Sequence, residues 1–130
     1  MKRGVAPWVA AVAWLGTGCS EVEGPSDCLG DVELQVAEGP IPVFTWSPVC
    51  EVATLQVSSS AGGLWSIDSP VGRNALLPPV RFGEVPPGII QDRPAEPLQP
   101  GFGYFVRVYR IKRDGDELVL LQAGEATFRH

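Results

Sequence analysis

The stretch Tyr104-Phe105-Val106-Arg107-Val108-Tyr109-Arg110-Ile111 decides the fold of this 130-residue chain. Its side chains alternate, with Tyr104, Val106 and Val108 on one parity and Phe105, Arg107 and Tyr109 on the other. Successive side chains of a strand point to opposite faces, so the run reads as a half-buried β-strand with Tyr104, Val106 and Val108 turned to a core. Lys112 to Glu117 contains Asp114-Gly115, a pair suited to the positive φ of tight hairpin turns, and leads into a second strand over Leu118 to Ala123. Thr127 and Phe128 extend that strand after a bulge near Gly124.

Working back along the chain, Pro78 to Pro100 holds seven prolines. Proline donates no ladder hydrogen bond, so this segment is expected along an edge or over the surface, with only Val80 to Phe82 strand-like inside it. Ala53, Leu55 and Val57 alternate with Thr54, Gln56 and Ser58, and after a loop at Ser59 to Gly63 another short strand runs from Leu64 to Ile67. Nearer the start, Val32, Leu34 and Val36 share one face, Glu38-Gly39-Pro40 is a turn signal, and Phe44 and Trp46 share a face in Pro42 to Trp46. No segment carries a convincing helical period. Short strands separated by breakers are an all-β rhythm.

The N-terminus adds a different signal. Lys2 and Arg3 are followed by an apolar stretch from Val5 to Leu15, and Gly16, Thr17 and Gly18 lead to Cys19. This resembles the signal of bacterial lipoproteins, although Leu15 sits four residues before the cysteine and Gly16 stands where the family usually has leucine. The resemblance implies cleavage after residue 18, a diacylglycerol on the Cys19 thiol, and attachment to the membrane of a bacterial cell envelope. An ordinary secretory peptide cleaved near Cys19 is the alternative. Ser20 after the lipid cysteine resembles lipoproteins sent on to the outer membrane, facing either the periplasm or the exterior. The expected organisation is a signal peptide over 1–18, a tether over 19–30 and one domain over 31–130.

Loss of Lys2 and Arg3 with the signal takes the formal charge from −5 to −7. Nucleic acid and anionic lipid surfaces are poor partners for such a chain. With Cys19 assigned to lipid, Cys28 and Cys50 remain, and an even pair in an oxidising compartment reads as one disulfide. Folding the first two strands about Gly39 places Leu34 opposite Phe44 and Val32 opposite Trp46, and the same register places Cys28 opposite Cys50. Free thiols or a metal site are the alternatives, the latter with no His or Cys nearby to complete a ligand set.

Phe44-Thr45-Trp46-Ser47-Pro48 resembles the second strand of a fibronectin type III domain, and Leu55 and Val57 stand where that family has inward residues of its third strand. Leu98-Gln99-Pro100-Gly101, followed by Tyr104, Val106 and Val108, resembles the family's leucine, Pro-Gly turn and tyrosine strand. The likeness covers roughly 31–130 and weakens between Gly72 and Gln99. It implies a seven-stranded, two-sheet, fibronectin type III or immunoglobulin-like sandwich, with Tyr104 bonding back to upstream backbone as a tyrosine corner. Such sandwiches host many functions, so the resemblance implies no activity.

The search for chemistry is mostly negative. His130 is the only histidine and the last residue, which suggests a frayed end, and a general base needs fixed geometry. Ser58, Ser59 and Ser60 have no base or elbow motif beside them. Asp114 to Glu117 lacks the spaced ligands of a calcium loop and is better read as a turn. No catalytic residue, metal or cofactor is therefore expected. Two classes of function stay open. One is a non-catalytic binding or structural module that uses Phe105, Arg107 and Tyr109 against an envelope protein or polysaccharide, unless the proline-rich segment folds over that face. The other is a small periplasmic enzyme, or an enzyme inhibitor acting through the loop 83–97.

Overall fold

The computed structural model describes residues 26–130, in which eight β-strands form two antiparallel sheets packed as a sandwich. The strands are β1 (Glu33–Ala37), β2 (Val43–Ser47), β3 (Thr54–Ser59), β4 (Gly62–Asp68), β5 (Val80–Arg81), β6 (Ile90–Arg93), β7 (Gly103–Asp114) and β8 (Glu117–Arg129). One sheet has the order β1-β2-β5, the other β6-β4-β3-β7-β8. Among the described residues no helix is long and apolar enough to cross a membrane.

Strand parity does what the alternation requires. Leu34, Phe44, Trp46, Leu55, Val57, Trp65, Ile67, Tyr104, Val106, Val108 and Phe128 turn inward and form one buried cluster. Phe128 links the two sheets, its ring centroid 5.5 Å from both Phe44 and Tyr104. Tyr104 reaches back across the preceding turn, its hydroxyl accepting a 2.7 Å hydrogen bond from the Gln99 amide. A buried hydroxyl without such a partner is costly, so this bond holds the entry to β7 in place.

Three details of the strands depart from the expectations drawn from sequence. There is an eighth strand, β6, inside the proline-rich segment, paired along the free edge of β4. Pro87 and Pro94 flank it without entering it, so its amides can pair, while all four residues are exposed and leave no apolar alternation to detect. The β1–β2 register is displaced by two residues, with Leu34 opposite Trp46 and Val36 opposite Phe44. The connection runs over residues 38–42 rather than turning tightly at Gly39, and a two-residue slip leaves every side chain on its expected face. Third, β7 and β8 continue as a ribbon to Asp114 and Glu117, so the hairpin connection is only Gly115-Asp116. Gly115 sits at φ +65°, the left-handed region where a side chain is strained.

The Cys28–Cys50 disulfide is formed, with Cα atoms 4.9 Å apart. It is not a continuation of the first hairpin. The Cys28 amide donates to the Glu51 carbonyl, the Glu51 amide donates to the Ser26 carbonyl, and Asp27 lies beside Glu51 in a parallel bridge. Ser26, Asp27 and Cys28 are thus packed against the segment around Glu51, within the stretch 19–30 expected as a tether.

At the far edge, β8 bulges between the Val108 and Tyr109 pairings, near Gly124. There the Val32 amide donates to the Ala123 carbonyl at 2.8 Å, which joins the leader of β1 to the second sheet. A Cβ on Gly124 would lie 3.0 Å from Val32 Cγ2 and 3.1 Å from the Val32 carbonyl oxygen. Gly124→Ala is therefore expected to destabilise the domain by about 1–3 kcal/mol through overpacking against backbone. Urea unfolding measures it, and an unchanged midpoint would show that the β1–β8 contact is dispensable.

Candidate functional site

The outward face of the five-stranded sheet carries the residues singled out above. Phe105, Arg107 and Tyr109 alternate along β7 and lie half-buried, opposite Ser58, Gln56 and Thr54 of β3. On the other side they oppose Thr127, Glu125 and Gln122 of β8. Arg107 is held from both sides. Its Nε donates to Glu125 Oε2 at 2.7 Å, its guanidinium lies 5.3 Å from the centre of the Phe105 ring, and one terminal nitrogen reaches Ser58 Oγ at 3.5 Å. An ion pair this accessible contributes at most about 1 kcal/mol, so its effect is to orient the guanidinium over the ring rather than to stabilise the fold. Phe105 and Arg107 thus form one platform. Tyr109 shares the face, one pleat further along.

Phe105 also lines a cleft of about 410 Å³ at the end of the sheet, with Glu38, Ser60, Tyr104, Thr127 and Arg129 around it. The cleft offers an aromatic face, the aliphatic hydroxyls of Ser60 and Thr127, and one residue of each charge. Glu38 is fixed there because its Oε2 accepts from the Arg129 amide at 3.3 Å. Such a lining can stack a flat apolar group and hydrogen-bond its polar edge, as binding sites built on aromatic residues do.

The proline-rich segment takes another course. Through β6 it follows the free edge of β4, and β3 and β4 stand between it and β7. Its anchors are side chains: Gln91 Oε1 accepts from Trp65 Nε1 at 3.0 Å and Asp92 Oδ2 accepts from Ser66 Oγ at 3.2 Å. The Glu96 amide donates to the Leu64 carbonyl. Residues 83–97 line none of the cleft beside Phe105.

His130 is not frayed. Its amide donates to the Phe102 carbonyl, and its carbonyl accepts from the Gly101 amide at 2.9 Å, while Nδ1 is buried with no partner. Ser59 Oγ caps its own turn by accepting from the Ala61 amide. No group of three or more His, Cys, Asp or Glu side chains is placed to hold a metal ion among the described residues. Cys19 and the signal 1–18 lie outside the described residues.

Reading the sequence alone missed three members of this region. Glu125 becomes the partner of Arg107 only through the β7–β8 register, and Glu38 and Ser60 reach the cleft from loops far apart in the chain. The bulge near Gly124 was the one local sign that β8 changes its pairing there. No protein-family model, no curated protein and no solved structure matches this chain.

Proposed function

We propose that this protein is a lipid-anchored, non-catalytic binding module of the bacterial cell envelope, built on a fibronectin type III-like sandwich. The observation that carries the binding role is the Phe105–Arg107 platform, an aromatic ring with a guanidinium oriented over it by Glu125, on an outward strand face that stays partly exposed, with Asp92 and Arg93 of the proline-rich segment approaching only as far as Gln56 and Ser58 of β3. Aromatic and arginine side chains supply a large share of interface energy, and here the partner is an envelope protein or polysaccharide. The fibronectin type III likeness is supported by the Tyr104 hydroxyl bonded to the Gln99 backbone and by the inward Trp46. The anchor rests on the basic, apolar and small-residue regions that converge on Cys19, and Ser20 favours the outer membrane.

The test uses the full chain expressed in a bacterial envelope. Cys19→Ala is expected to move the protein from the detergent phase to the aqueous phase. The triple change Phe105→Ser, Arg107→Ala and Tyr109→Ser is expected to lower partner recovery after crosslinking at least tenfold, about 1.4 kcal/mol, with little change in melting temperature. Recovery that survives the triple change and is lost on altering 83–97 would transfer recognition to the proline-rich loop. Hydrolytic turnover abolished by a single carboxylate change would overturn the non-catalytic assignment.

A further inference from the structure

The antiparallel topology gathers four features at one pole of the sandwich: the entry of the chain, the loop 48–53, the loop 69–79 and the β7–β8 ribbon. Asn74 ties three of them together. Its Nδ2 donates to Asp27 Oδ2 at 3.1 Å and to the Ile111 carbonyl at 3.0 Å, and its Oδ1 accepts from the Ile111 amide at 2.8 Å. The described chain thus begins beside the base of the ribbon.

The same pole exposes apolar side chains that lie outside the buried core cluster. Leu29, next to the disulfide, is 89% exposed, and Val49, beside the other half-cystine, is 64% exposed. Val71 is 97% exposed, and on the ribbon Leu118 and Leu120 are 45% and 53% exposed on one face with Ile111. Gly72 faces Leu118, since a Cβ added there would lie 3.5 Å from Leu118 Cδ1, which places the tip of the 69–79 loop beside the ribbon. Isolated surface leucines need no explanation, but exposed apolar residues gathered around a point of chain entry do.

We infer that this pole docks on the surface of the bilayer that holds the lipid, with Leu29, Val49, Val71, Leu118 and Leu120 entering the headgroup boundary. The inference rests on the anchor at Cys19 proposed above. From Cys19 to Asp27 the chain spans at most about 28 Å even fully extended, at ~3.5 Å per residue, so the pole cannot leave the vicinity of the membrane. Local charge does not drive the contact, since Lys112 and Arg113 on the ribbon are offset by Asp114, Asp116 and Glu117. The attraction is apolar, so neutral lipid suffices. The cleft beside Phe105 lies at the opposite pole, where β7 begins and β8 ends, so docking turns it away from the membrane.

The experiment reconstitutes the full lipidated chain in neutral phosphatidylcholine vesicles, with and without brominated acyl chains that quench tryptophan on contact. Leu118→Trp reports the entry pole and Ser60→Trp the opposite one, while the native tryptophans contribute equally to both. Docking predicts a loss of emission at least about twofold greater for Leu118→Trp, unaffected by added salt. Intact mass of the same sample reads the state of Cys19 separately. Lipidated protein with equal quenching at the two positions overturns docking and leaves the anchor standing. An unlipidated Cys19 with Leu118→Trp still selectively quenched removes the anchor and retains docking. A concentration-dependent dimer in detergent that Leu118→Ser abolishes, with no selective quenching in vesicles, assigns the patch to a second copy instead.

Discussion

Truncating Trp46 to Ala is expected to destabilise the domain by about 3–5 kcal/mol, the cost of emptying a large aromatic site in a core that cannot fully collapse. The side chain is only 3% exposed and stands opposite Leu34 in the β1–β2 pairing. A polar loss is added, because Trp46 Nε1 donates to the Cys50 carbonyl at 2.8 Å and that buried acceptor is left without its partner. Domains of this size are stable by only about 5–15 kcal/mol, so a large part of the margin disappears. Chemical denaturation followed by circular dichroism measures the change. A loss under about 1 kcal/mol would place Trp46 outside the core and break the packing described above.

Removing the disulfide is expected to be the second large effect. A bridge between residues 22 apart in sequence restricts the unfolded chain enough to contribute roughly 3 kcal/mol on the chain-entropy model. Both half-cystines are buried, so replacing Cys28 and Cys50 with Ala adds a small packing loss. The bridge also sets where the chain enters, because Cys28 and Glu51 exchange backbone contact only with the two segments pinned side by side. Intact mass with and without reductant, followed by urea unfolding of the double-alanine form, gives both readouts. Two thiols that alkylate in the folded protein without reductant would refute the bridge. Since Trp46 bonds to Cys50, the two effects share a partner and the combined variant should lose less than their sum.

The strands that carry the core were legible because a half-buried strand writes its own period. Tyr104, Val106 and Val108 on β7, Leu55 and Val57 on β3, and Phe44 and Trp46 on β2 could only bury one parity, and each did. The outward placement of Phe105, Arg107 and Tyr109 followed from the same rule, so the face of the candidate site was visible at once. The hairpin turn at Gly115 and the irregularity near Gly124 were also local, since glycine marks backbone that other residues enter at a cost.

What the alternation could not carry was everything decided by distant segments meeting. Strand β6 is exposed at all four residues, so the unfilled edge of β4 and the side-chain bonds of Gln91 and Asp92 to it, rather than apolar burial, draw it into the sheet. The β1–β2 register slipped by two residues because parity is blind to even shifts, and contacts such as Leu34 against Trp46 choose among them. The Cys28–Cys50 pairing was anticipated from a register the chain does not keep, and the actual cause is a parallel approach of residues 26–28 to 50–52. Glu125 under Arg107, and Asn74 bridging Asp27 and Ile111, join residues 18, 47 and 37 positions apart. By itself the sequence determined which face each strand buries, because that depends on neighbours two residues away. Only the tertiary structure decided which strands pair, which charges meet and where the chain enters, because those depend on which of many sterically equivalent approaches fills the core and satisfies the buried backbone.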